Sequence, residues 1–460
     1  MSVKVRFAPS PTGLLHVGNV RIAILNYLFA KNQNGKFVLR IDDTDKERST
    51  TESENLILED LKWLGIEWDE FYKQSNHFSK YREAMEFLKS IGKIYPCYET
   101  KEELSLKRKI QASKGIPPVY DRASLKLSEQ EKNKLESNGV QKYWRFRLNE
   151  NESIEWNDLV HGKISIPLSS ISDPIIIKPD GSYVYTFASV VDDVNIGITH
   201  IIRGDDHITN TAAQIDIFRA LSGKNPEFAH VPLLSSIDGQ DVSKRTSSSL
   251  SMVNLRNAGM EPQAIINVLA SLGTSENVNP EDSFEDLIRK FSFSKMSLSS
   301  PKFNVRDVEL LTRKIVSEKT FDEVKSDLSK ISEISNYSNI EIIAKNISEE
   351  FWDTIKGNIN TLKEVDFWYN VFYKDIPSRV EELDQDYLDQ MLESLAPSVD
   401  FDEWISRLKK ISGRKGKDLF HPIRLVLTNQ NAGPELRKIF AMLGYEKIKN
   451  RIEKNINKTK

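Results

Sequence analysis

Near its start this chain offers one place where reactive side chains and backbone could meet a ligand. The run Ser10-Pro11-Thr12-Gly13-Leu14-Leu15-His16-Val17-Gly18-Asn19 follows a strand-like segment and precedes an apolar helical one. A ligand there lies at a strand's C-terminal end, against the free N–H groups of a helix N-terminus. Gly13 and Gly18 let the backbone approach a nucleotide closely, and His16 can donate a hydrogen bond to a phosphate oxygen. The pattern suits ATP, although a loop histidine alone is usually just solvated. A second place is Asp241-Val242-Ser243-Lys244-Arg245, in a loop of small polar residues. Lysine followed by arginine suits a grip on polyphosphate and on charge growing at a phosphorus under attack. Taken alone, a solvated basic turn is the simpler reading. Neither Gly-x-x-x-x-Gly-Lys-Ser/Thr nor Gly-x-Gly-x-x-Gly occurs, so P-loop and dinucleotide enzymes are poor candidates.

The elements that must position these residues follow from periodicity. Val3, Val5 and Phe7 alternate with Lys4 and Arg6 as a strand, which Pro9, Pro11 and Gly13 stop. Residues 20–30 are apolar on nearly every side, as in a helix buried against a sheet. Asn34-Gly35 ends it, and residues 36–41 resume as a strand running into Asp42-Asp43-Thr44-Asp45, which completes a βαβ unit over 1–92. Residues 93–186 read as an insertion: a lysine-rich helix over 100–114, a Pro117-Pro118 break, then short mixed segments. The sheet pattern returns over 187–240, with a strand over 197–203 and a helix over 211–221 ended by Gly223. A loop region spans 241–310. Beyond Pro301 strands are hard to find, and 311–460 reads as all-helical, fraying only over 450–460.

Composition bounds the answer. At 460 residues about three domains are expected. Lys+Arg 64 against Asp+Glu 67 gives a net charge of −3, so any nucleic-acid contact needs segregated charge. The single cysteine, Cys97, excludes an intrachain disulfide and a four-thiolate zinc site, and fits a reducing cytoplasm. No apolar run is long enough for a signal peptide or a membrane span.

Taken together, the motifs closely resemble the class I aminoacyl-tRNA synthetases, and within them the bacterial-type glutamyl-tRNA synthetases. The resemblance is carried by residues 6–13, His16-Val17-Gly18-Asn19 (the "HIGH" signature), Leu39 to Asp45, Val190-Val191-Asp192-Asp193, Ile201-Ile202-Arg203-Gly204, Asp241 to Arg245 (the "KMSKS" signature) and Gly433-Pro434-Glu435-Leu436. It implies an α/β Rossmann-like catalytic domain with a parallel sheet, an α+β insertion that meets the tRNA acceptor end, a stem-contact region over 241–310, and an all-α C-terminal anticodon-binding domain. It further implies a cytoplasmic monomer that activates L-glutamate with ATP and Mg²⁺ and transfers it to tRNA(Glu), with tRNA(Gln) left open as a second acceptor. His16 and Lys244 would act on the phosphates, with Gly18, Asn19 and Arg245 at ATP. Arg6, Ala8, Ser10, Asp42, Tyr185, Ser189 and Arg203 would form the glutamate pocket. Arg6 and Arg203 would fork onto the side-chain carboxylate, and Asp42, helped by Ser10, would accept from the ammonium group. Three positions depart from the family pattern: Asp42 stands for glutamate, Ser189 for asparagine, and Asp241 for the first lysine of its motif.

Some relatives hold zinc in the insertion. Here the matching places carry Cys97, Glu99, Tyr120 and Arg122, so no metal is expected. Residues 107–109, 409–417 and 447–460 are candidate basic stretches for tRNA. A glutaminyl-tRNA synthetase, an enzyme that glutamylates a modified tRNA base, and an inactive tRNA-binding paralogue are the rival readings. Ala8-Pro9-Ser10-Pro11, Asp45 and the long helical tail favour the glutamate enzyme.

Overall fold

A computed structural model describes residues 2–236, 250–334, 338–377 and 383–456. The first strand, β1 (Lys4–Phe7), feeds α1 (Val17–Asn32), which returns to β2 (Lys36–Ile41). Helix α1 is buried around its circumference, from Val17 through Ile24 to Ala30, as its unbroken apolar run requires. Its start is set by His16, which serves as N-cap. Gly35 permits the return because a Cβ there would strike the Val3 carbonyl. After α2 (Thr51–Trp63), β3 (Glu70–Lys73) pairs parallel to β2, as β2 does to β1.

Next come α3 (Phe78–Ser90), β4 (Ile94–Cys97), α4 (Lys101–Ser113), α5 (Glu129–Ser137), β5 (Tyr143–Phe146), β6 (Ser153–Asp158), β7 (Gly162–Pro167) and β8 (Ile175–Ile177). Strands β4, β5 and β8 form a small antiparallel sheet. The hairpin β6–β7 joins a different one: β6 pairs with β10 (Glu227–Val231), in the order β7-β6-β10-β9, with β9 at His200–Gly204. This hairpin lies by sequence within the expected insertion, yet it extends the sheet of the second half. Its edge position explains why its alternation, buried Ile154, Trp156 and Asp158 against exposed neighbours, reads as a separate mixed segment.

Helices α6 (Tyr185–Asn195) and α7 (Ile208–Ser222) flank β9, and α7 ends at left-handed Gly223. Thr199 lays β9 against β1: its N–H donates to the Lys4 carbonyl at 2.9 Å, and its Oγ1 accepts from the Lys4 N–H at 2.8 Å. Strand order therefore runs outward from β1 on one side and from β9 on the other, with α1 and α7 leaving from their C-terminal ends. A crevice at such a reversal is where open α/β sheets bind ligands. Just past Pro301, Lys302–Phe303 pairs with Ser235–Ser236, too short a strand to show as a pattern.

The chain divides into two compact units, residues 1–258 with 265–305, and 259–264 with 306–460. The second is helical among the described residues and packs around Trp352, Trp404, Phe351 and Ile439. The charged stretch 391–411, part of the segment expected to be all-helical, falls into helices Gln385–Ser394 and Phe401–Ser412, separated around Pro397, with Asp400 capping the second through the Glu403 N–H at 2.8 Å. Fraying over 450–460 is not what the structure has through Ile456. Ile448 and Ile452, four apart, are fully buried, and Arg451 donates to the Leu427 and Val371 carbonyls. The dense charge hid that inward face. Among the described residues no helix is long and apolar enough to cross a membrane.

Candidate active site

A cleft of about 600 Å³ opens where β1 and β9 end. It is lined by Arg6, Ala8, Ser10, His16, Gly18, Asn19, Tyr185 and Arg203, so eight of the expected residues, drawn from distant stretches, share one wall. Asp42 and Ser189 are buried and are not among the residues that line the cleft, and Lys244 and Arg245, with Asp241, lie outside the described residues. Both flanks of that undescribed stretch leave from the cleft. Leu233 and Leu234 line it, while at the other end the Val17 N–H donates to the Leu250 carbonyl at 3.2 Å and Met252 N–H to the Leu15 carbonyl at 2.9 Å.

His16 has a defined role in its own loop. Its Nδ1 accepts from the Gly18 N–H at 3.1 Å, and its N–H donates to Asn19 Oδ1 at 3.4 Å. Burial lowers its pKa, so the ring is neutral. With Nδ1 accepting, the proton resides on Nε2, the tautomer a phosphate oxygen needs. A Cβ on Gly18 would lie 3.0 Å from the ring's Cε1, so the glycine is what lets the imidazole close over the helix end.

The guanidinium groups are not equivalent. Arg6 donates to Asp193 Oδ1 at 3.1 Å and Oδ2 at 3.4 Å. Arg40, fully buried on β2, forks onto Asp42 at 2.6 and 3.0 Å and reaches Asp193 Oδ1 at 2.7 Å. Burial works against the Arg40 charge, but Asp42 and Asp193 outweigh it and hold its pKa well above normal. Arg203 differs: its partners among the described residues are all neutral. It donates to Thr211 Oγ1 and Gln214 Oε1, both at 2.7 Å, to Tyr185 Oη at 3.3 Å and to His230 Nε2 at 3.4 Å. Burial, with Arg6 nearby, lowers its pKa, although a guanidinium stays charged.

Ser189 is buried, its Oγ accepting from Gln214 Nε2 at 3.0 Å, so it steadies the residue that steadies Arg203. Asp193 and Arg40 fall within segments that carry the resemblance but are given no role there, and both hold site geometry. An arginine inside the otherwise apolar strand KFVLRI is a signal that could have singled out Arg40.

At the zinc-like positions the side chains satisfy one another. Cys97 Sγ lies 3.5 Å from the Tyr120 hydroxyl, which donates to Glu99 at 2.7 Å, and Arg122 forks onto Asp173 at 2.8 Å. Of the basic stretches, Lys107 pairs with Asp121 at 3.0 Å, Lys447 donates to the Phe372 carbonyl at 3.2 Å, and Arg451 is buried.

Comparison with known proteins bears on this constellation. The family "tRNA synthetases class I (E and Q), catalytic domain" matches residues 2–310, and "Anticodon binding domain" matches 336–456. The chain belongs to the class I tRNA synthetases, enzymes that use ATP. It is 45% identical to glutamate-tRNA ligase 2 of Hyphomonas neptunium over 97% of this chain and 99% of that one, and 45% identical to glutamate-tRNA ligase 2 of Bartonella bacilliformis over 98% and 99%. A crystal structure of a glutamate tRNA ligase from Elizabethkingia meningosepticum, in complex with its amino acid, superposes with a TM-score of 0.83 at 27% identity, covering both chains completely. Within the class, the chain is a member of the glutamate-tRNA ligase family.

Proposed function

We propose that the cleft joins L-glutamate to tRNA(Glu) in two steps at the expense of ATP, which enters as its Mg²⁺ complex. The observation that carries this reading is Arg203: a buried guanidinium on the cleft wall whose hydrogen bonds run to neutral groups, so that an anionic side chain is the missing partner. The glutamate side-chain carboxylate meets Arg203 and Arg6, with the Tyr185 ring as a side wall. Ser10 and the Ala8 backbone lie near the ammonium group. Asp42, paired to Arg40, supplies its charge there across a water.

In the first step the glutamate α-carboxylate attacks the α-phosphorus, expelling pyrophosphate and leaving glutamyl-adenylate. In the second, the 2′-hydroxyl of the terminal adenosine attacks the activated carbonyl and releases AMP. Neither step needs a protein nucleophile, so positioning and charge stabilisation do the work. His16 donates through Nε2–H to a phosphate oxygen, and Gly18 and Asn19 leave room for the nucleotide. Lys244, with Arg245, brings positive charge to the triphosphate from a stretch whose flanks begin at the cleft. The β4-β5-β8 region meets the acceptor end, the segment after Arg245 the stem, and the helical unit the anticodon arm. The enzyme acts as a cytoplasmic monomer without a structural zinc ion.

Charging of purified tRNA(Glu) and tRNA(Gln) with labelled glutamate tests the reading. Glutamate on tRNA(Glu) is expected, and the tRNA(Gln) arm decides whether the second acceptor is used. No charging of either, with ATP and Mg²⁺ present, refutes it.

A further inference from the structure

Behind Arg203 lies a chain of side chains that the scheme above leaves without a task. His230, on β10, is fully buried, and its Nδ1 lies 2.6 Å from Asp158 Oδ2 at the end of β6. The other Asp158 oxygen accepts the backbone N–H groups of Val160 at 3.0 Å, His161 at 3.1 Å and His230 at 3.2 Å. Burial opposes the Asp158 charge, but His230 and these amides outweigh it and hold its pKa below the usual carboxylate value. An ionised carboxylate can only accept, so the proton of the His230 ring sits on Nδ1. Burial also lowers the His230 pKa and keeps the ring neutral. Its Nε2 is therefore a lone pair. It accepts from the Thr211 hydroxyl at 2.8 Å and lies 3.4 Å from Arg203 Nε, while Thr211 Oγ1, which is also 3.1 Å from the His207 carbonyl, accepts from Arg203 Nη2 at 2.7 Å.

We infer that Asp158 is a positioning residue for amino-acid recognition: by fixing the His230 proton on Nδ1, it presents Nε2 as the acceptor for the Thr211 hydroxyl and Arg203 Nε, and so holds the Thr211 oxygen and the Arg203 guanidinium in the orientation that meets the substrate's side-chain carboxylate. The inference rests on the reading of Arg203 as the carboxylate site. It gives the β6–β7 hairpin a second duty. A stretch that stands, by sequence, between the two halves of the catalytic unit reaches the amino-acid pocket from behind.

The test is Asp158→Asn. Its oxygen can still take the backbone amides, so the turn is kept, but its NH₂ faces Nδ1 and drives the ring proton to Nε2. There it opposes the Arg203 Nε–H and turns the Thr211 hydroxyl toward the His207 carbonyl, so the acceptors that hold the charged guanidinium are disturbed. In ATP–pyrophosphate exchange with tRNA present, the KM for glutamate should rise roughly tenfold or more while the KM for ATP stays put. In a His230→Gln background, where an amide oxygen can face Arg203 whatever residue 158 is, Asp158→Asn should add nothing further. An unchanged glutamate KM in the single variant overturns the inference, and so does an equal rise in both backgrounds. Should Asp158→Asn fail to fold, the ¹⁵N histidine spectrum of the unaltered protein decides, since the Nε2–H form of His230 is incompatible with the inference. Arg203→Lys separates the two levels. A raised glutamate KM there with none in Asp158→Asn defeats the positioning role alone, whereas no rise in either defeats the carboxylate site as well.

Discussion

Replacing Gly18 with alanine should leave stability near that of the unaltered chain while slowing activation severely. Gly18 is the second residue of α1, and its φ is not in the left-handed region, so alanine fits the backbone and gains up to about 1 kcal/mol of helix propensity. The new Cβ, however, would sit 3.0 Å from His16 Cε1 and 3.1 Å from Nδ1. The ring must move by a few tenths of an ångström, which weakens the 3.1 Å bond from the Gly18 N–H. Losing that cap costs about 1 kcal/mol, so the two stability effects nearly cancel. Activity has no such compensation. In the proposed mechanism a displaced Nε2–H no longer meets the phosphate oxygen as charge develops, and loss of one such donor costs roughly 100- to 1,000-fold in rate. Thermal unfolding and ATP–pyrophosphate exchange with tRNA(Glu) present measure the two quantities separately, and the KM for glutamate should hold because Arg6 and Arg203 are untouched. An exchange rate close to that of the unaltered enzyme would refute the role given to His16. A large fall in melting temperature would show instead that the helix start, not the ring, had been disturbed.

Three further outcomes follow from the same structure. Lys244→Ala should slow activation far more than it weakens glutamate binding, and comparable losses in both, read from pyrophosphate exchange across glutamate concentrations, would count against a transition-state role. Asp60 is fully buried on α2, and burial pushes its carboxyl up to about 7, with Arg256 at 3.6 Å only partly offsetting. In the unfolded chain this group ionises near the ordinary aspartate value, so between about pH 4 and pH 7 the folded state binds the extra proton and stability falls as pH rises. Asp60→Asn should therefore gain on the unaltered protein as pH climbs through that window, by up to about 4 kcal/mol in denaturant titrations, and a constant difference would contradict it. Gly433 sits at φ 154°, and a Cβ there would strike the Trp368 ring. Gly433→Ala should lower the melting temperature of the helical unit and the rate of tRNA charging, with pyrophosphate exchange at saturating tRNA much less affected.

Local signals carried β1, β2, α1 and α7, because period-2 and buried-helix patterns need no knowledge of partners. Even there the α1 boundary slipped. The helix begins at Val17 rather than near Val20, since its cap is a histidine, whereas sequence rules look for Ser, Thr, Asp or Asn. The β6–β7 hairpin showed in the sequence only within the short mixed segments of the insertion, and its place in the second sheet was not legible, because one parallel pairing, Phe228 to Asp158, decides it. Arg6 and Arg203 are singled out by the resemblance, which sets both at the substrate carboxylate, each near the end of a strand. Which carboxylate holds which arginine was not legible, since Asp193 meets Arg6 across 187 residues and Arg40 across 153.

That pairing bears on how the pocket discriminates. Arg6 and Arg40 bond to Asp193 and Asp42, so within this hydrogen-bonded group two positive charges face two negative ones. Arg203 stands outside it, held by hydroxyl, amide and imidazole groups that shape its fork without cancelling its charge. A buried cation of this kind is costly until an anion arrives, and with neutral hydrogen-bond partners the protein relieves that cost only in part, through the charge of Asp193 nearby. In the reading proposed above, glutamate relieves it with the side-chain carboxylate. Glutamine, nearly the same shape, brings an amide that leaves the guanidinium uncompensated and places an NH₂ among donors. On that reading, selection between the two rests less on the size of the pocket than on the absence of a carboxylate among the hydrogen-bond partners of Arg203, a repulsive element against the wrong substrate as much as an attraction for the right one.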